Sequence, residues 1–325
     1  MKILVTGAGG FIGSHVTEQL LQEGHRVRAL VHYNSQGSQG HLSRIPEKLR
    51  RRLEVQPGDI TDPFLVRDLV AGCAAVLHLA ALIGIPYSYL APASYVATNI
   101  DGTLNILEAC RQAKTRRIVV TSTSEVYGTA RYVPIDEQHP LQAQSPYAAS
   151  KIAADKLAES FHLSFGLPVV ILRPFNTYGP RQSARAIIPT VLTQALGGAT
   201  EIRLGNLRPK RDLTYVGDTA RAFLLAASAR GIEGETIHCG QGSEISIGLL
   251  AKLALRIAGS PAKIVTEQAR QRPARSEVGR LLCNPAKAGK LLGWRPEVPI
   301  EEGLRRTVDY LRSNLSDYRA NSYVV

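Results

Sequence analysis

Six short apolar runs recur along the first half of the chain: Ile3 to Thr6, Val27 to Val31, Leu53 to Val55, Val76 to Leu79, Ile118 to Thr121 and Val169 to Leu172. Between them, Phe11 to Glu23, Tyr95 to Ala113 and Tyr147 to Phe165 carry apolar residues at helical spacing. Short strands alternating with amphipathic helices predict an α/β fold, a doubly wound parallel sheet with helices on both faces. The stretch from Tyr147 to Phe165 is long enough for a second apolar stripe. That stripe serves either the core or, with the preceding helix, a face for a second copy. After Pro174 the alternation fades into a stretch rich in glycine and proline, Asn176 to Arg185, and helix-like runs return at Ile187 to Ala195 and Ile247 to Ile257. A smaller second domain is expected there.

With 325 residues and 44% hydrophobic composition the chain can bury a full core in one or two domains. No charged residue lies between Val70 and Asn99, but Gly72, Gly84, Pro86 and Pro92 interrupt that segment. No apolar stretch there reaches the roughly 18 residues of a membrane span. Met1 to Thr6 lead directly into a glycine turn, without the regions of a signal peptide, so a cytoplasmic protein is expected. Cys73, Cys110, Cys239 and Cys283 are scattered, without the close pairing of a zinc or redox motif, and are read as reduced thiols; no metal is expected. The net charge of +12 is spread along the chain, with short clusters at Lys48 to Arg52, Arg116-Arg117 and Arg270 to Arg275. It fits an anionic partner without naming one, and there is no recognisable nucleic-acid motif.

Gly7, Gly10 and Gly13, with Phe11 and Ile12 between them, follow the first strand and open the first helix. Glycines there let the backbone close on a pyrophosphate, and the helix N-terminus supplies free N–H groups, so a dinucleotide is the expected ligand. The acid that binds the ribose of NAD about 20 residues further on is missing. From Gly24 to Pro46 there is no Asp or Glu. Asn34 or Ser35 could bond a ribose hydroxyl, whereas His32 with Arg44 could take the 2′-phosphate of NADP. NAD is the expected cofactor, with NADP left open. Asp59 and Ile60, after the third strand, are placed to meet the adenine, although a helix cap is another use for that acid.

Tyr147 and Lys151 lie four residues apart and project from one helix face. The cation is expected to lower the tyrosine pKa toward neutrality and make a base for a sugar or alcohol hydroxyl. Thr123-Ser124-Glu125 stands at the C-terminal end of the fifth strand, the end at which open α/β sheets bind ligands.

Taken in order, Gly7/Gly10/Gly13, Leu79-Ala80-Ala81, Asn99, Tyr147/Lys151, Arg173 to Gly179 and Arg211 to Asp218 resemble the extended short-chain dehydrogenases/reductases, in the sugar-nucleotide epimerase/dehydratase group. The resemblance implies a Rossmann-type dinucleotide-binding domain over 1–175, rejoined by a segment near 211–240, and a smaller C-terminal α/β substrate-binding domain over 176–325. It places Leu79, Ala80, Ala81, Asn99, Thr121, Tyr147, Lys151 and Pro174 at the cofactor. It places Thr123, Asn176, Arg185, Arg211 and Arg272 at a nucleotide-diphosphate sugar, and it implies a homodimer.

Thr123-Ser124-Glu125 looks like the active-site triplet of 4,6-dehydratases in its serine variant. Asn176 to Pro189 with Tyr33-Asn34-Ser35 is most similar to the legionaminic-acid type, which acts on nucleotide-linked N-acetylglucosamine. In such a reaction Tyr147 takes the 4-hydroxyl proton, Thr123 holds the 4-oxygen, Glu125 removes the C5 proton and Ser124 helps the 6-hydroxyl leave. A 4-epimerase or a UDP-glucuronate decarboxylase shares all but the use of Glu125. A dinucleotide-sensing or nucleic-acid-binding module is the non-enzymatic rival.

Overall fold

The computed structural model describes residues 1–318 except 271, 272 and 274. Its centre is a seven-stranded sheet. The strands are β1 (Lys2–Thr6), β2 (Arg26–His32), β3 (Leu53–Gly58), β4 (Ala75–His78), β5 (Arg117–Thr121), β6 (Val169–Pro174) and a later strand, Thr236–Cys239. Every pairing within it is parallel. The spatial order β3-β2-β1-β4-β5-β6 and then Thr236–Cys239 reverses between β1 and β4. A cleft for a ligand opens where neighbouring crossovers part to opposite faces.

Strands buried on both faces need apolar side chains in every position, and β1 supplies them. Ile3 and Val5 join the core on one face, and Leu4 the core on the other. Helix α1 (Phe11–Gln22) covers the first face; α2 (Pro63–Val70), α3 (Gly102–Ala113) and α4 (Pro146–Phe165) cover the second. Each fully buried aliphatic side chain contributes about 1.5–3 kcal/mol.

Helix α4 begins where Ser145 caps it, accepting from Ala148 N–H at 3.1 Å, with Pro146 in the first turn. It ends at Gly166 in the left-handed conformation (φ 65°). The helix expected from Tyr95 is different at its start. Val96–Asp101 is wound as a π-helix before α3 takes over at Gly102. Such wide turns concentrate at functional sites, and this one brings Asn99 under the cleft.

Beyond β6 lie β7 (Asn176–Tyr178), α5 (Ile187–Leu196), β8 (Glu201–Leu204), β9 (Lys210–Tyr215) and α6 (Val216–Ser228). The last strand of the large sheet, Thr236–Cys239, is β10. It is followed by β11 (Glu244–Ser246), α7 (Ile247–Ala258), β12 (Lys263–Thr266) and α8 (Ile300–Ser313). Helix α6 returns to the α1 face of the large sheet, where Ala220, Phe223 and Ala227 join that core. The remaining elements form a three-stranded sheet, β11-β9-β7, and a two-stranded parallel one, β12-β8, around a separate apolar core. Among the described residues no helix is long and apolar enough to cross a membrane, and no cluster of side chains could hold a metal ion.

Candidate active site

One cleft runs from the glycine loop across the C-terminal ends of the strands to β9. At its floor Gly7 turns with φ +67°, and a Cβ there would lie 2.8 Å from Ala80 N. A Cβ on Gly13 would meet Gly7 O at 2.2 Å. Only glycine permits this close approach of loop, helix and strand. No side chain caps α1, so its N-terminal N–H groups face the cleft as an anion site.

The loop is pinned from below without any charge. Thr6 Oγ1 accepts from the N–H groups of Leu79 and Ala80, at 3.1 Å each. Its own proton therefore goes to His78 Nδ1, 2.8 Å away. That fixes the His78 tautomer, so Nε2–H donates to Thr103 Oγ1 at 3.1 Å, and Thr103 donates to Asn99 O at 2.6 Å. Burial lowers the His78 pKa to about 3, keeping the ring neutral.

Gly7, Gly10, Phe11, Ile12, Gly13, His32, Asn34, Asp59, Ile60, Leu79, Ala80, Ala81, Thr121 and Pro174 all line the cleft. Asn99 does not. It is buried behind the wall, where Oδ1 accepts from Leu82 N–H at 2.8 Å and Nδ2 donates to Leu82 O and Ser150 Oγ. It shapes the loop instead of meeting a ligand. The Thr121 hydroxyl is likewise spent on His78 O at 2.7 Å.

Around the adenosine end, Asp62 caps α2, leaving Asp59 at the cleft, where Oδ1 accepts from Thr61 and Oδ2 lies 3.5 Å from His32 Nδ1. The Asn34 carboxamide is closed onto Ser38, accepting from its N–H and donating to its carbonyl at 2.9 Å each. Arg44 is turned away to Asp317 and Asn314 near the end of the described chain. The cation expected for a 2′-phosphate is thus already paired elsewhere.

On the opposite wall stand Thr123, Ser124, Glu125, Tyr147 and Lys151. Thr123 caps a short 3₁₀ turn, Ser124–Tyr127, accepting from Glu125 N–H at 3.2 Å, so one side chain fixes the carboxylate's backbone. The Thr123 side chain favours the Tyr147 phenolate and the charge of Glu125 opposes it, both less strongly than burial acts. The expected acidification of that phenol is absent. Burial drives the Tyr147 pKa up, and burial lowers that of Lys151, because either charge would have to leave water. The protein's own groups hold Tyr147 as a neutral phenol.

At the far end, Asn176, Arg185 and Arg211 line the cleft, whereas Arg272 lies outside the described residues. Asn176 Oδ1 is buried without a hydrogen bond. Arg211 pairs with Glu277 at 3.5 Å, and Arg185 reaches toward Gly84. Gln182 and Ser183, from the Asn176 to Pro189 stretch, join this end, as do Tyr89 and Glu277, which the motifs did not indicate. Tyr89 donates to Ser276 Oγ (2.5 Å), which donates to Gln144 O (2.6 Å), tying a loop beside the glycine floor to the C-terminal segment.

The protein-family model described as GDP-mannose 4,6 dehydratase matches residues 4–307. The chain belongs to that family. A dTDP-glucose 4,6-dehydratase of an Actinoplanes species is 35% identical over 324 residues, covering 97% of this chain and 99% of the relative. The dTDP-glucose 4,6-dehydratase DesIV of Streptomyces venezuelae, solved with NAD bound, superposes with a TM-score of 0.88 at 32% identity, covering 98% of this chain and 99% of that one. The UDP-glucose 4-epimerase of Thermotoga maritima, solved with UDP-glucose, superposes with a TM-score of 0.86 at 31% identity, covering 97% and 100%. The family member described here is therefore an enzyme of the nucleotide-sugar dehydratase/epimerase group, and both chemistries are found among its near relatives.

Proposed function

We propose that the protein is an NAD-dependent nucleotide-sugar 4,6-dehydratase acting on a UDP- or GDP-linked hexose of the N-acetylglucosamine type. The observation that carries this is Glu125, a carboxylate that lines the same cleft as Tyr147 and Lys151. An oxidation followed by simple rotation of the ketone needs no such acid; an elimination does.

The residues suit the dinucleotide: a glycine cradle that a Cβ would fill, an uncapped helix N-terminus, and an adenosine rim beside which Arg44 is paired with Asp317. The glycine cradle and the α1 N-terminus would hold the dinucleotide, whose oxidised nicotinamide would supply a positive charge favouring the phenolate and a hydride acceptor for C4 and donor for C6. Tyr147 takes the 4-hydroxyl proton, and Thr123 holds the 4-oxygen. With a ketone at C4 the C5 hydrogen becomes acidic, and Glu125 removes it. The C6 hydroxyl leaves with a proton relayed through Ser124, which the proton taken by Tyr147 replaces, and Glu125, after exchange with solvent, delivers a proton to C5. One water is lost and no net oxidation occurs. Asn176, Arg185, Arg211 and Arg272 are assigned to the diphosphate end, where an arginine fork matches phosphate oxygens.

Turnover of UDP-N-acetylglucosamine, GDP-mannose, dTDP-glucose and UDP-glucuronate, followed by mass, separates the readings. A product lighter by one water supports the dehydratase; unchanged mass with a new sugar identifies an epimerase, and release of carbon dioxide a decarboxylase. Within the dehydratase, Glu125→Gln should still form reduced nicotinamide, yet slow overall turnover by about 100-fold. A Glu125→Gln enzyme dehydrating at the wild-type rate removes Glu125 from the role of base. Leu104, Leu163 and Phe165, exposed on α3 and α4, support the homodimer, which sedimentation would test.

A further inference from the structure

Behind the Thr123-Ser124-Glu125 wall lies a buried ionic cluster that the reaction steps do not use. Asp155 and Arg173, 2% and 4% exposed, form an ion pair at 2.7 Å. Asp155 stands on α4 two turns after Tyr147 and one after Lys151, on the same face. The Arg173 guanidinium reaches three ways. It gives Nη2 to Asp155, gives Nε to Ser122 Oγ at 3.1 Å, and gives Nη1 to the Tyr127 hydroxyl, while it also lies over the Tyr127 ring. Ser122 donates in turn to Asp155 at 2.5 Å. Tyr127, whose oxygen accepts from Arg173, meets neutral His238 Nε2 at 2.6 Å.

Ser122 immediately precedes Thr123, and Tyr127 closes the 3₁₀ turn that carries Glu125. Both flanks of the triplet are therefore fastened to one ion pair rooted in the helix of Tyr147 and Lys151. A buried ion pair is a poor way to gain stability over apolar packing of the same volume. Its geometry serves another purpose.

We propose that Asp155 and Arg173 are positioning residues that register the Thr123-Ser124-Glu125 turn against Tyr147 and Lys151, and that the Asp155 carboxylate keeps the Lys151 ammonium charged. Lys151 is 4% exposed, and a buried ammonium needs a counter-charge. The groups around it are Tyr147 and Asp155 on its own helix, neutral His78 from β4, Arg173 from β6, Tyr95 packed on Tyr147, and Glu125 on the same wall of the cleft. Asp155 is the anion that raises the Lys151 pKa against burial, and its Oδ1 takes no hydrogen bond from any described residue.

The proposal rests on the C4 oxidation, which dehydratases and epimerases share, and its second arm on the dehydratase reading. The first experiment is the pH dependence of single-turnover formation of reduced nicotinamide by the holoenzyme with UDP-N-acetylglucosamine, or with whichever of the four nucleotide sugars above is turned over. Asp155→Asn keeps the shape and removes the charge. Lys151 then loses its proton at lower pH, so the rate at pH 9 should fall about tenfold relative to wild type, with a smaller change at pH 7. Asp155→Glu should restore the alkaline rate. Coincident pH profiles for wild type and Asp155→Asn would overturn the electrostatic role.

The second arm uses Tyr127→Phe, which deletes one hydroxyl and leaves the ring, and so stands even where Asp155→Asn does not fold. Oxidation should stay within about twofold, while deuterium entry at C5 from heavy water drops about tenfold. Equal loss of both, or of neither, overturns the positioning role. A wild-type enzyme that takes up no deuterium at C5 sinks the dehydratase reading instead, and leaves the pH test of Asp155 standing.

Discussion

The two walls of the cleft rest on buried polar networks of opposite kind. Under the glycine loop, Thr6, His78, Thr103 and Asn99 pass hydrogen bonds along a neutral chain. Behind the catalytic wall, Asp155, Arg173, Ser122 and Tyr127 are joined around a full charge pair. The cofactor side has only to hold backbone in place, and neutral donors and acceptors do that without the cost of burying ions. On the other side Tyr147 and Lys151 are both driven toward neutral by burial, and the charge of Asp155 acts on both. Removing a member from each network should therefore have unlike consequences.

The largest effect is expected at the group the charged wall serves. Tyr147→Phe deletes the phenol and leaves the ring against Tyr95, so the fold should persist while formation of reduced nicotinamide falls by about 10²–10⁴-fold. Stopped-flow absorbance of the nicotinamide measures it. Wild-type oxidation in this variant would move the base to another residue and take the purpose from the charged wall.

Next comes Arg173→Met. It strands the Asp155 carboxylate in a site 2% exposed, and a broken buried pair costs about 3–5 kcal/mol. Denaturant unfolding of the apo-protein should show a loss of that order. The matching change in the other wall is His78→Gln, which keeps one donor and one acceptor but misplaces them, and should cost about 1–3 kcal/mol. Equal losses would mean that the two networks do not differ in kind.

How much of this was legible in the chain follows from the same contrast. The strands and the glycine loop were readable because their signal is local: apolar runs of the right length, and a turn that only glycine can make. Thr123, Glu125, Tyr147 and Lys151 were readable as residue types at set spacing, and they share one cleft. The unforeseen parts depend on contacts far apart in sequence. Arg44 was read beside the ribose, but Asp317, from the other end of the chain, takes its charge. Asn99 was read as a ligand contact, but the π-helical turn, which no spacing rule announces, carries it behind the wall. The phenol of Tyr147 was read as acidified, because spacing shows a neighbouring cation and does not show how completely burial removes water. Asp155 was within reach, since Tyr147, Lys151 and Asp155 repeat every fourth residue on one helix face. Its partner, Arg173, comes from a separate strand.

The smallest effect separates the walls by pH. His78, at about 3, and His15 and His41, at about 4, all have pKa values lowered from 6.5 chiefly by burial. Their folded forms bind protons later than the unfolded chain does, so the stability they contribute is complete above about pH 6.5 and is lost as pH falls toward 4. Asp212 works in the opposite sense. Burial raises its carboxyl to about 6 despite three backbone N–H donors, so the folded state takes that proton first and gains as pH falls from 6 toward 4. These histidines, with buried His238 lowered in the same sense, outweigh one carboxyl, and the urea midpoint should drop between pH 6.5 and 4.5. In His78→Gln the drop should be shallower, because one strongly lowered ring is gone. A slope unchanged by His78→Gln would place the acid sensitivity outside the neutral wall altogether.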